Sequence, residues 1–370
     1  MKESITSFVG LDVHKDSIAI AVAQAGRQAP RFVGTVVPSL PSLRRVLRGI
    51  GKASDTLVVY EAGPCGYGLA RRLSAEGYSC EVVAPARIAR SPIDQRIKTD
   101  RRDALLLARE SRAGNLVSVV LPDERDEALR DLSRTREDVL AARLRAHQQM
   151  KALLLRHGRA FAGRSPWSQA HERTLSQIRL PHPAQDIAFV EYRNAIKEAH
   201  ERLERITEAL RLQSSLWRMR PLVQALMCLR GFDFVAAVTF VAEIGDPRRF
   251  AHPIALMSYL GLVPSEFSSG NSRRQGSITK SGNKHARRIL VESAWTYCHG
   301  PRVSRCLEVR QQGQPKSVRD ISWRAQLRLT KRFRHLRMGR KLPQNKVCVA
   351  IARELCGFIW DIARQVKPLQ

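Results

Sequence analysis

The stretch KTDRRDALLLAR, Lys98 to Arg109, places Asp100 and Asp103 three residues apart among basic neighbours, at the start of what reads as a helix. On a helix that spacing puts both carboxylates on one face. One reading is structural: Asp100 caps a helix beginning at Arg101, and Asp103 faces the positive end of the helix dipole. The other reading is chemical. Asp12 lies at the end of the first apolar run, where a charge is costly unless it is paired or bound to a metal, and Glu61 closes the apolar LVVYE run in the same way. Four acidic side chains from two strand ends and one helix face can converge on one point, and they repel one another unless cations neutralise them. Hard oxygen ligands select Mg²⁺ or Mn²⁺, and two such ions roughly 3.5–4 Å apart can stabilise both the attacking and the leaving oxygen at a phosphodiester. The flanking Lys98, Arg101 and Arg102 would then hold the phosphate backbone around the metals.

The elements that must position these groups follow from the hydropathy pattern. SFVGLDVHKDSIAIAVAQAG, from Ser7, gives two apolar runs separated by a polar break at His14 to Asp16, which predicts a strand hairpin. DTLVVYEAG supplies another strand and GYSCEVVAPARIAR a further one, with the helical YGLARRLSAEG between them. Strands alternating with helices make residues 1–122 an α/β domain. From Asp123 to about Gly158 the chain has no proline, and glycine only at its last residue, and repeats leucine near the helical period; a second such stretch runs from about His171 to Leu216, interrupted around Pro181 and Pro183. Residues 123–216 therefore read as two long helices folded back on each other, packed within one subunit or paired with a second. Residues 217–370 read as mainly helical and close with the amphipathic VCVAIARELCGFIWDIARQV.

Composition narrows the partners. The 370 residues carry 63 Lys plus Arg against 34 Asp plus Glu, a formal net charge of +29, which points to a polyanion. With 44% hydrophobic residues the chain can bury real cores, so disorder throughout is excluded. Pro301 to Lys346 alone holds fourteen Lys and Arg against Glu308 and Asp320. No apolar run approaches the roughly 20 residues needed to span a bilayer, and MKESITSFVGLDVHKDS carries charges where a signal peptide needs its apolar core, so a cytosolic protein is expected. The seven cysteines form no CxxC pair and the ten histidines are scattered; no structural zinc is expected, and the thiols read as buried or incidental groups in a reducing compartment.

The ordered blocks GLDVHKDS, VVYEAGPCGYGLARRL and KTDRRDALLLA resemble those of the DEDD transposases of insertion sequences in the IS110 family, whose nuclease domain is RuvC-like with an RNase H fold. Downstream, GFDFVAAVTFVAEIGDPRRF, YLGLVPSEFSSGNSRRQGSITKSGNKHARRIL and the closing helix are similar to that family's C-terminal transposase domain, so the likeness covers nearly the whole chain. It favours the chemical reading of Asp12, Glu61, Asp100 and Asp103. Two departures stand out: RGFDF keeps Gly231 but places Asp233 where the family usually has a second glycine, and the basic stretch from Pro301 is longer than the family's usual spacer.

What the resemblance implies is a site-specific DNA recombinase. A nucleophilic serine is expected in the SSG block, with Ser269 matching best and Ser268 its neighbour, and cleavage would run through a covalent 5′-phosphoserine link. That link conserves the phosphodiester energy, consistent with the lack of a GxxxxGK[ST] loop. Arg273, Arg274, Lys280 and Arg287 could offset charge on the phosphate or form a nucleic-acid-binding face, and Lys331, Arg332, Arg334 and Arg337 extend that face. The resemblance further implies a structured noncoding bridge RNA that pairs with donor and target DNA, a homodimer or homotetramer, and a place on the prokaryotic nucleoid. The rival readings are a Holliday-junction or RNase H-like nuclease that uses water, and a catalytically dead nucleic-acid-binding protein.

Overall fold

The computed structural model describes residues 5–89, 96, 98–159, 167–269, 272 and 274–369, which fall into two compact units, Met1–Leu121 and Pro122–Gln370. The first unit is built on a five-stranded sheet. β1 (Ser7–Val13) and β2 (Ile18–Gln24) form the expected hairpin, closed by the His14 amide donating to Ser17 O at 2.8 Å. β3 (Arg31–Val36), which the apolar pattern did not reveal, pairs antiparallel with β2, while β4 (Thr56–Glu61) and β5 (Ser79–Val83) run parallel to β1. The strand order is β3-β2-β1-β4-β5.

Side-chain size sorts the two faces of this sheet. Along IAIAVAQ of β2, Ile18, Ile20 and Val22 point to one face and Ala19, Ala21 and Ala23 to the other, because successive strand residues alternate sides. The bulky face, with Val9, Leu11, Val58 and Tyr60, buries Leu43 and Leu47 of α1 (Leu40–Ile50) and Leu69 and Leu73 of α2 (Gly68–Ala75). The alanine face receives α3 (Asp100–Arg112), through Ala104 and Ala108. There β1 contributes Gly10, and a Cβ on that residue would collide with the Ala104 carbonyl oxygen and the Ala108 nitrogen and stand 2.8 Å from Leu107 Cβ. Only glycine lets strand and helix backbones approach so closely.

In the second unit the expected long helices are α4 (Glu124–Arg156) and α6 (Pro183–Ser215), which pack along each other. They run antiparallel: near one end the Trp217 indole donates to buried Asp126 (2.7 Å), further along Arg136 donates to Thr207 (2.8 Å), and beyond that Arg143 faces His200 at 3.5 Å. The second stretch is not one helix. A separate short helix, α5 (Gln169–Gln177), precedes the prolines, and α6 begins with Pro183 at its first position behind a reciprocal His182/Gln185 cap. Proline is accepted there because the first-turn N–H has no helical partner to lose.

The remainder packs around α13 (Gln344–Ala363), whose buried Val347, Cys348, Ile351, Leu355 and Ile359 contact α7 (Arg220–Leu226), α9 (Pro253–Tyr259), α10 (Lys284–Ala294) and α12 (Lys316–Arg334). α8 (Phe234–Ile244) and α11 (Arg305–Gln311) are further helices of this unit, and β6 (Pro264–Glu266) and β7 (Gln275–Ile278) form a separate two-stranded ribbon. A buried carboxylate ties three elements together. Glu243 of α8 accepts a bidentate pair from Arg134 of α4 (2.7 and 2.9 Å) and a bond from Asn283, the cap of α10 (2.6 Å). Burial alone would raise its pKa, but these donors hold it below the usual carboxylate value. Among the described residues no helix is long and apolar enough to cross a membrane. Burial pushes the Cys228 and Cys348 thiols up to about 11, consistent with unreactive packing groups.

Two glycines separate close approach from mere flexibility. Gly10→Ala is expected to cost at least about 2 kcal/mol in urea unfolding, since the obstructing atoms are backbone and cannot turn aside. Gly49→Ala, exposed on α1 with open space around it, is expected to stabilise by about 0.4–1 kcal/mol. Equal effects at both positions would contradict the tight seat of α3.

Candidate metal centre and serine ribbon

The β1/β4 register brings two of the four carboxylates to one edge. Leu11 is the last β1 residue paired with β4, opposite Tyr60, so Asp12 and Glu61 each follow that pair at the carboxyl ends of adjacent parallel strands. Asp12 lies two residues beyond Gly10 and therefore on the α3 face. Asp100 lies one turn before Ala104, and a turn of helix (about 5.4 Å) nearly matches two residues of strand (about 6.7 Å). With Ala104 seated on Gly10, Asp100 thus reaches the level of Asp12.

The side chains meet there together with a third group. Donor atoms of Asp12, His14 and Asp100 all lie within 4.8 Å of one another. His14 Nε2 stands 3.3 Å from Asp12 Oδ2 and 3.6 Å from Asp100 Oδ1. Glu61 and Asp103 are outside this tight group, although Asp103 is buried and its charge acts on Asp12. Burial raises the Asp12 pKa, the proximity of His14 opposes the rise, and the charges of Asp103 and Asp100 add to it. Two carboxylate oxygens and an imidazole nitrogen at this spacing fit a divalent cation.

His14 was not among the residues expected to act, yet its position two residues after Asp12 placed it on the same side of the strand. The cap of α3 also differs from the structural reading of the sequence. Thr99, not Asp100, is the N-cap, its hydroxyl accepting from the Arg102 amide at 3.3 Å, and Asp100 is the first helical residue. Lys98, Arg101 and Arg102 are exposed, with Arg101 stacked 5.3 Å over Phe32.

In the second unit Ser269 lies at the tip of the β6/β7 ribbon. Its backbone exchanges two hydrogen bonds with Ser272, at 3.1 and 3.0 Å, and the residue is exposed. Ser268 donates its hydroxyl to Glu266 at 2.8 Å. The base of the ribbon is rigid: Thr279 and Lys280 amides donate to Val263 O and Gly261 O, and Gly282, at φ +71°, is pressed against the Tyr259 carbonyl.

The expected nucleic-acid-binding cations divide. Arg274, Lys280, Lys331, Arg334 and Arg337 are exposed. Arg287 instead spends its guanidinium on Leu260 O and Ser281 O, both at 2.8 Å, which fixes the ribbon's base, and its burial lowers its pKa. Arg332 is half-buried and pairs with Glu354 at 3.2 Å. Arg273 lies outside the described residues. Asp233, the departure at the glycine turn, caps α8 by accepting from the Ala236 amide at 2.8 Å, while Gly231 keeps φ +83° against the Ser293 backbone.

Comparison with known proteins agrees with this arrangement of blocks. Residues 9–158 match the family model for DEDD transposases of IS110 type, and residues 223–306 match that described as transposase IS116/IS110/IS902 family. The chain is 44% identical over 364 residues to "Putative transposase y4qE" of Sinorhizobium fredii, covering 98% of this chain and 89% of that protein. It is 28% identical over 342 residues to the transposase for insertion sequence element IS1533 of Leptospira borgpetersenii, covering 90% and 97%. Sheet, carboxylates and matches together define a transposase. The chain belongs to the IS110 family of insertion-sequence transposases.

A group whose pKa rises on folding binds its proton more tightly in the native state, so Asp12 destabilises the metal-free fold above its unfolded pKa and ceases to do so as the solution is acidified. Asp12→Asn is therefore expected to raise the melting temperature of metal-free protein at pH 7, with the gain shrinking as the pH falls into the acid range. A gain that stays constant with pH would show that Asp12 ionisation carries no such penalty.

Proposed function

We propose that this transposase is an RNA-guided, site-specific DNA recombinase that cuts and rejoins DNA through a 5′-phosphoserine link on Ser269. Asp12, Glu61, Asp100 and Asp103 would hold Mg²⁺ or Mn²⁺. The observation that carries the reading is the meeting of Asp12 and Asp100, from sequence blocks far apart, at the carboxyl edge of the sheet. In this reading residues 1–122 form an RNase H-like, RuvC-like nuclease domain, for which the β3-β2-β1-β4-β5 order with only β2 reversed against its neighbours is the support. Residues 123–216 form a coiled-coil linker and dimerisation region, and residues 217–370 a transposase domain carrying the serine and the basic insertion. The working enzyme is a dimer or tetramer with a structured noncoding RNA and both DNA partners, in the cytoplasm on the nucleoid.

A divalent cation held by these carboxylates supplies Lewis-acid polarisation of the scissile phosphate and offsets their mutual repulsion. The residues themselves bind and orient. Lys98, Arg101 and Arg102 engage backbone phosphates beside the acidic edge. The Ser269 hydroxyl attacks phosphorus: the Oγ–P bond forms as the P–O3′ bond breaks, and the serine proton is balanced by the one that the departing 3′ oxygen takes up. Attack by a 3′-hydroxyl of the partner strand reverses the step and restores the serine, so no nucleotide cofactor is consumed.

The test is a trapped adduct. Wild-type protein with the element's noncoding RNA, a nicked suicide DNA and Mg²⁺ is expected to give a denaturation-resistant protein–DNA adduct that peptide mapping places on Ser269. Ser269→Ala is expected to bind nucleic acid and form none. An adduct on Ser268 would transfer the role to the hydroxyl held by Glu266. Cleavage without any adduct, equal in wild type and Ser269→Ala, would favour a water-using nuclease.

The basic segment gives a second expectation. Lys331→Ala and Arg334→Ala should each flatten the log–log salt dependence of DNA binding by about 0.7–0.9, the signature of one lost phosphate contact. Arg332→Ala should change that slope less, because its guanidinium is already paired with Glu354. Slopes unchanged in the first two variants would mean that this face is merely solvated.

A further inference from the structure

A pocket of about 580 Å³ in the second unit lies away from the serine ribbon, lined by Arg230, Thr296, Arg302, Ser304 and Arg310 among others. Three arginines line it, and among the described residues no carboxylate does. Two are fixed by backbone carbonyls: Arg230 donates to His299 O and Gly300 O at 3.2 and 2.9 Å, and Arg310 donates to Phe232 O at 2.5 Å. Burial depresses the Arg230 pKa, and the charge of Arg302 depresses it further. Like charges held together in a partly desolvated recess are costly unless an anion joins them.

The hydrogen-bond inventory points the same way. Among the described residues five buried side-chain polar atoms make no hydrogen bond, and three belong to this neighbourhood. Arg310 Nε is on a lining residue. Gln326 is fully buried with its Nε2 unpaired, while its Oε1 accepts from the Arg302 amide at 3.1 Å. Tyr297, also fully buried, follows the lining Thr296, and its unpaired hydroxyl is electrostatically coupled to Arg230. Native proteins rarely leave buried donors unpaired, and here one such atom is on a lining residue and two are on residues next to the lining.

We infer that this pocket is a binding site for the phosphate of a nucleotide. Arginine forks match phosphate oxygens in two-point geometry, and the volume falls within the range of small-ligand pockets, about 300–1,000 Å³, leaving room for a sugar beside the phosphate. The site is independent of the carboxylates and of Ser269, so its test stands apart from theirs.

Full-length protein is treated with phenylglyoxal, alone or with inorganic phosphate, adenosine 5′-monophosphate or a short single-stranded oligonucleotide, and each modified arginine is read by peptide mass. Arg302, exposed and with no partner for its guanidinium among the described residues, is the reporter; exposed Arg319 and Arg324 of α12 are the controls. Protection of Arg302 by the mononucleotide or the oligonucleotide at about one-tenth of the concentration that protects the controls is expected, the increment of one charge-assisted hydrogen bond. Arg302→Gln should weaken mononucleotide binding about tenfold with an unchanged melting temperature of the free protein. Protection by the mononucleotide assigns a single nucleotide, and protection by the oligonucleotide alone assigns a nucleic-acid backbone. Equal modification of Arg302 and the controls under all conditions, or protection by inorganic phosphate without protection by either nucleotide ligand, overturns the assignment.

Discussion

At Gly10 the backbone of β1 meets the backbone of α3 with no side chain between them, and the acidic edge depends on that contact. A helix seated on larger residues would ride farther from the sheet, as the bulky face shows, where isoleucines, valines and leucines separate β1 and β2 from α1. On the alanine face the separation is set by Gly10, Ala19 and Ala21, so the first turn of α3 approaches the strand ends closely enough for Asp100 and Asp12 to share a histidine between them. The geometry of the carboxylates is thus a packing outcome before it is an electrostatic one. Burial at this edge raises the Asp12 pKa and the neighbouring carboxylates add to the rise, a cost borne by the buried apolar contacts of both sheet faces.

Much of this was legible in the order of residues, and the gaps have physical causes. Apolar runs broken at His14 to Asp16 revealed the β1/β2 hairpin, and the LVVYE and EVV runs revealed β4 and β5. β3 escaped because RFVGTV is half-exposed, with a glycine and no fully buried residue. The α4 and α6 helices followed from leucine period, whereas the detached α5 did not, since a short helix and a proline break look alike before the cap at His182 is known. Asp12 and Asp100 are together as their positions suggested, and Glu61 sits at the neighbouring strand end but outside the tight group. His14 does not stand out among ten scattered histidines, and the signal that could mark it is its place two residues after Asp12, on the same side of the chain.

The large positive charge is likewise not one property. Arg134, Arg218 and Arg287 are consumed inside the second unit, on Glu243, on Asp123 and Asp126, and on two carbonyls respectively. These are structural cations, whose guanidinium groups are engaged by carboxylates or carbonyls of the same unit. Lys331, Arg334 and Arg337 face solvent instead and are available to a polyanion. Composition reports only the sum, and separating the two populations requires knowing which carboxylates and carbonyls fold against which arginines. For that reason Arg287 reads in sequence as a phosphate ligand and in three dimensions as a brace.

The serine ribbon is anchored at its base and bare at its tip, where Phe267, Ser268 and Ser269 are all exposed. Its outer residues bury almost nothing, so a substitution there leaves the helical core, and hence the amount of folded protein, nearly unchanged. Decay of a mobile element therefore need not begin with loss of its protein. Under the proposed role of Ser269, a copy altered only at the ribbon tip would still accumulate and, where it still bound the element's nucleic acid, would compete with its intact siblings. The fold thus allows an element's own damaged descendants to restrain it.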